Sequence, residues 1–258
     1  MGNVQAFVLA GARASGDALA EAHGVPSKAH IKVAGRSMIS RVLDTLANSA
    51  SDPQITIVGL EGADSLEQAE AWPKSRRSPG ADGPAASVHG ALERSEDTYP
   101  VLVTTCDHAL LTPDIVNHFV RDSMASSADL TVALARRSDI EAAYPDVHRT
   151  YLKFGDAHYS SCNLFCLMTP AAKDVVSFWR AAEEDRKSPW RIAWRFGIVR
   201  ALRLLIGRPP LAGVFEIVSG RLGVDIQPVV LPFADAAVDV DTPEDLALVE
   251  RVIAERGT

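Results

Sequence analysis

Four short apolar runs constrain this chain more than any other feature: "AFVLAG", "ITIVGL", "PVLVTTCD" and "DLTVALA". Each is too short for a core helix and has no polar alternation, which is the pattern of a strand buried on both faces. They place strands at residues 4–9 and 55–60, through Asp107, and at 129–135. The stretches between them have helical spacing. Over residues 37–46, Met38, Ile39, Val42, Leu43 and Leu46 share one face. A short helix is expected over 84–92, and Thr112 caps another that has Pro113 in its first turn. This alternation predicts an α/β fold, a mostly parallel sheet with helices on both faces in three layers.

Beyond residue 140 the alternation lapses. "TYLKFGDAHYSSCNLFCLM" predicts two antiparallel strands around Gly155 and Asp156, added at the sheet edge. Helices are expected over 170–185, 189–206 and 211–220, giving a helical insertion across 170–222. A strand at 228–231 and a helix at 243–255 follow, the latter entered through Thr242, a proline and early acids. Residues 1–258 thus read as one domain containing that insertion. "KSRRSPGADGPAAS" reads as an exposed loop over a site.

The net charge of −7 argues against the basic footprint of a general nucleic-acid binder, while leaving room for a local cationic pocket. Three cysteines, Cys106, Cys162 and Cys166, argue against a disulfide framework and for a reducing cytoplasm. The first residues do not follow the pattern of a secretory leader.

Candidate chemistry clusters in three places. The loop after the first strand, "LAGARASG", carries Gly11 and Arg13, with Lys28 further on. A glycine there lets backbone N–H groups approach phosphate oxygens, and the cations add charge. Asp107 ends a central strand and would face the same crevice, where hard cations take carboxylate and phosphate oxygens together. His108 beside it reads as a surface hydrogen-bonding partner. In "VDVDTPEDL", Asp239 and Asp241 alternate with valines, so both carboxylates point to one side of an extended segment.

In this order the blocks resemble the MobA-like NTP transferases, nucleotidyltransferases of the GT-A-like (Rossmann-like) fold. The resemblance rests on "LAGARASGDALAEAHGVPSKAHIKVAGRSM", "GPAASVHGAL", "VLVTTCDHALLTP", "YSSCNLF" and "DVDTPEDL". It implies a Mg²⁺-dependent enzyme that transfers NMP from an NTP to a phosphorylated acceptor, a small molecule or lipid-headgroup precursor, releasing pyrophosphate. By that resemblance Ala10, Gly11 and Ala12 would line the nucleotide, Gly83 and Ala86 would approach its base, and Arg13 and Lys28 would contact the triphosphate. Asp107 would hold Mg²⁺ with Asp241, Asp239 is a third candidate ligand because the Asp239–Asp241 pair could complete the site, and Asn163 would contact the acceptor. Ala12 stands where the family usually has a second glycine. Two other readings stay open: a GT-A glycosyltransferase, which wants a D-x-D where this chain has "CDH", and a non-catalytic nucleotide-binding protein.

The 189–206 segment sets Trp190, Trp194, Ile198, Ala201 and Leu205 on one half of a helix. Arg191, Arg195, Arg200 and Arg203 lie on the other. Such a helix packs on its own sheet, forms a homodimer interface or lies at a membrane surface. In the last case the protein would be membrane-associated and a phosphorylated lipid precursor would suit as acceptor.

Overall fold

The structure is a computed structural model that describes residues 4–11, 16–62, 70, 72–96, 98–147, 149–184 and 209–257. Ala12, Arg13 and the 189–206 segment lie outside these residues.

The first strand, β1 (Gln5–Leu9), shows why the sheet forms as it does. Ala6, Phe7 and Val8 are all fully buried. Ala6 and Val8 pack towards α2 (Met38–Ala47), while Phe7 packs on the opposite face against α3 (Pro84–Arg94). A strand apolar on both faces needs helices on both sides of it. β4 (Gln54–Val58) and β6 (Val101–Thr105) flank β1, both in parallel register. Between β1 and β4 come a short helix α1 (Ala18–Ala22), a 3₁₀ turn (Lys28–His30) and a hairpin of β2 (Lys32–Val33) and β3 (Arg36–Ser37).

Helix entries follow the local signals. Ser37 Oγ caps α2 by accepting from Ser40 N, and Thr112 Oγ1 caps α4 (Pro113–Ala125) by accepting from Ile115 N. The final helix α8 (Pro243–Arg256) opens on a full capping box between Thr242 and Asp245.

Completing the fold are β5 (Ser75–Ser78), β7 (Leu130–Arg136), α5 (Arg137–Ala143), β8 (Leu152–Lys153), β9 (His158–Leu167), α6 (Ala172–Glu184), α7 (Leu211–Leu222) and β10 (Ile226–Leu231). The sheet order is β10-β7-β9-β6-β1-β4-β5, with β8 paired to β9. The expected mostly parallel α/β architecture is present, with two differences. The antiparallel strand β9 does not sit at the sheet edge; it inserts between β6 and β7. Leu164, Cys166 and Leu167 are buried to 2% exposure or less, and an interior position is what shields them. The second difference is β5. The Ser/Arg stretch expected as loop is instead an edge strand parallel to β4. Its pairing uses backbone groups alone, and exposed Arg76 and Arg77 blunt the open edge. Among the described residues, no helix is long and apolar enough to cross a membrane.

Because β1, β4, β6, β7 and β10 run in one direction, their carboxyl ends share one edge. In open α/β sheets that edge is where ligands bind.

Candidate active site

Beyond β6 the ladder continues for one residue, Cys106 N donating to Leu9 O at 2.9 Å, and the chain then turns out of the sheet at Asp107. Val240 N donates to Asp107 O at 3.1 Å, which binds the segment before α8 against the end of β6. Lys28, on the 3₁₀ turn, closes the arrangement. Its ammonium donates to Asp107 Oδ2 at 2.8 Å, to Asp241 Oδ1 at 2.5 Å and to Val240 O at 3.0 Å. Three residues spread over most of the chain therefore meet at one point on the carboxyl edge.

The electrostatics are lopsided towards the lysine. Burial alone would lower its pKa, but Asp107 and then Asp241 outweigh burial and hold it above the ordinary lysine value. Lys28 is a cation at any working pH. Asp107 Oδ1, by contrast, is buried and has no hydrogen-bond partner. Buried carboxylate oxygens are rarely left that way, and such an oxygen suits a hard cation. Among the described residues, no group of three or more His, Cys, Asp or Glu side chains is arranged to hold a metal ion. That is compatible with Mg²⁺-type binding, in which one or two carboxylates act together with substrate phosphates and water.

Asp239 is placed differently from Asp241. One of its oxygens takes Arg149 Nη1 and the other takes Asn163 Nδ2 at 3.0 Å. Arg149 Nη2 also reaches Asp239 O at 2.9 Å and pairs with Asp245 Oδ1 at 3.1 Å. Asp239 therefore braces the segment and does not face Lys28, and the amide nitrogen of Asn163 is directed at Asp239. Burial first, then the nearby Asp107, raises the Asp239 pKa against the opposing pull of Arg149. His108 is not the surface partner its sequence position suggests: it is 1% exposed, its Nδ1 has no partner, and burial pushes its pKa down. A hydrophilic side chain directed inward by the turn after β6 carries no local sequence signal.

On the other side of β1, Gly11 is exposed at the strand end and Ala10 is buried. Gly11 abuts Gly59, and Gly59 abuts Gly80, so three backbones meet without side chains. A Cβ on Gly80 would lie 2.9 Å from Gly59 Cα, and one on Gly59 would lie 3.0 Å from Gly11 Cα. Gly59 also holds φ +80°, a region that favours glycine. Next to this floor, Gly83 N-caps α3 with φ +103°, and Ala86 lies half-buried in the helix's first turn. Glu183 of α6 accepts from Ala85 N at 3.2 Å, so a carboxylate already satisfies the α3 N-terminus. Sequence reasoning missed Arg149, Gly59, Gly80 and Glu183. For Gly59 a signal existed, since a glycine inside the apolar run "ITIVGL" marks a strand end or a close backbone approach; Gly80 follows a strand that its own side chains do not announce.

Comparison with known proteins identifies the fold and the family. A hypothetical transferase from Thermus thermophilus is 33% identical, with a TM-score of 0.78, over 95% of this chain and 100% of that one. CMP:2-keto-3-deoxy-manno-octonic acid synthetase complexed with CTP shares the fold at 12% identity, with a TM-score of 0.60, over 98% of this chain and 99% of that one. So does 4-diphosphocytidyl-2C-methyl-D-erythritol synthase from Anaerococcus prevotii, at 12% identity and a TM-score of 0.60, over 98% of this chain and 96% of that one. No curated protein matches this sequence. The family model of the MobA-like NTP transferase domain matches residues 6–218, and the chain belongs to that family.

Proposed function

We propose that the chain transfers a nucleoside monophosphate from an NTP to a phosphorylated acceptor, with pyrophosphate as the leaving group, and that the reaction depends on Mg²⁺. The observation that carries this reading is the meeting of Lys28, Asp107 and Asp241 at the carboxyl edge of the sheet. An acceptor phosphate oxygen forms the new bond to the α-phosphorus as the bond to pyrophosphate breaks. The attacking oxygen is already an anion, so no strong general base is needed. What the site must supply is relief of anion–anion repulsion and neutralisation of the leaving group.

Lys28 supplies a fixed positive charge for phosphate oxygens. Asp107 and Asp241 would hold the divalent ion, which when bound supplies Lewis-acid neutralisation of phosphate charge. The Gly11–Gly59–Gly80 surface offers a flat backbone floor for the nucleotide. Because Glu183 already occupies the α3 N-terminus, phosphate is disfavoured there, which supports seating the triphosphate towards Lys28 and the base towards Gly83 and Ala86. Arg13 and Ala12 belong to this reading through their place in the sequence directly after Gly11.

The test is pyrophosphate release by the purified enzyme across the common NTPs, with phosphorylated sugars, polyols, amines and lipids as acceptors. One NTP–acceptor pair should give Mg²⁺-dependent release, and Asp107→Ala should abolish it while the protein stays folded. Undiminished release by folded Asp107→Ala would overturn the assignment.

A further inference from the structure

We infer that Arg149 is a positioning residue for the metal-facing carboxylate Asp241, acting from both ends of the short segment that carries it; this rests on the function proposed above. The guanidinium of Arg149 bonds the side chain and the backbone carbonyl of Asp239 on one side of Asp241, and Asp245 on the other. Asp245 in turn accepts from Asp241 N at 3.2 Å, from Thr242 N at 2.9 Å and from Thr242 Oγ1 at 2.9 Å. The backbone N–H of Asp241 is thus held by a carboxylate that Arg149 holds. Arg149 is a buried fork whose side chain is 9% exposed, and its partners lie on either side of one catalytic-edge residue.

A third group reinforces the same segment. Asn163 sits at φ +48° on β9 and donates to the other oxygen of Asp239. A left-handed conformation costs little for asparagine, and this residue uses it to aim at Asp239. By contrast, Asp241 has 47% of its side chain exposed and sits on an extended segment between two helical turns. Lys28 holds one oxygen of that carboxylate, and the brace holds the backbone that carries it. A planar five-donor guanidinium suits this task, and a lysine, with a single point charge, cannot reach both flanks at once.

The test uses two variants. Arg149→Lys keeps the charge and loses the fork. Asp245→Asn keeps an acceptor for the helix cap and turns an amide towards Arg149. Mn²⁺ is the probe: binding is followed by the electron paramagnetic resonance of free Mn²⁺, well below Tm, and Tm is recorded separately. Groups that orient metal ligands typically affect metal affinity by roughly 10–100-fold, and that weakening is expected in both variants. Their pyrophosphate release should need correspondingly more metal, while KM for the NTP at saturating metal stays near wild type. A purely structural role would lower Tm and leave the Mn²⁺ affinity of the folded protein unchanged. That result in both variants overturns the inference. A wild-type protein that binds no Mn²⁺ and releases no pyrophosphate overturns the proposed function along with it; a competent wild type with unaltered variants overturns this inference alone.

Discussion

Replacing Lys28 with methionine keeps the length of the side chain and removes the one charge that Asp107 and Asp241 share. The two pairs are not equal. Lys28 and Asp107 are 12% and 14% exposed along their side chains, whereas Asp241 is 47% exposed. Breaking a buried pair by removing one partner costs about 3–5 kcal/mol, because the other charge is left stranded. The exposed pair adds at most about 1 kcal/mol. The lower end, about 3 kcal/mol, is the better figure here, since the site opens to solvent on the Asp241 side. For a chain of this size that is a fall in Tm of roughly 6–12 °C. Adding Asp107→Asn to Lys28→Met should recover most of the loss, because removing both partners is far cheaper than removing one. Mg²⁺ should also raise the Tm of Lys28→Met more than that of wild type; a site at a hundredfold excess over Kd stabilises the folded state by about 2.7 kcal/mol. The pH dependence has a definite sign. The folded pKa of Lys28 is raised, so its stabilisation is complete below the ordinary lysine value of about 10.4 and is lost only as pH climbs through the higher folded value. Differential scanning fluorimetry should show a constant gap between wild type and Lys28→Met from about pH 6 to pH 9. An unchanged Tm in Lys28→Met, or no recovery in the double variant, would refute the pairing argument.

Gly80→Ala should displace the Gly59 backbone, since the new Cβ would lie 2.9 Å from Gly59 Cα. Forced repacking of this kind costs about 1–3 kcal/mol. Chemical denaturation should show that loss together with a raised KM for the NTP, and a wild-type KM would remove the glycine floor from the nucleotide site. The thiols of Cys106, Cys162 and Cys166 are all buried, and burial pushes each pKa up, that of Cys166 to about 12. A chromogenic disulfide reagent at neutral pH should find none of them in the native protein and all three in denaturant; rapid reaction of a native thiol would contradict this packing.

Much of the fold was legible because its signals are local. Continuous apolar runs require two-sided burial, so the strands and the helices around them follow from the sequence. Thr112 and Thr242 cap their helices as read, because a cap is decided within a turn of chain. Asp107 was found from its place at a strand end. β5 was not legible, since an edge strand needs only backbone bonds and its side chains report exposure. Nor was the seat of β9 between β6 and β7, which depends on which sheet position shields its apolar residues. The sequence by itself determined the buried strands, the caps, the family and the carboxylates that merit attention. Only the tertiary structure decided that Asp241 faces Lys28 while Asp239 turns to Arg149 and Asn163. Two aspartates in one extended segment share a side by local geometry; their roles are separated by partners far along the chain, and the sequence pattern near a residue carries no record of them.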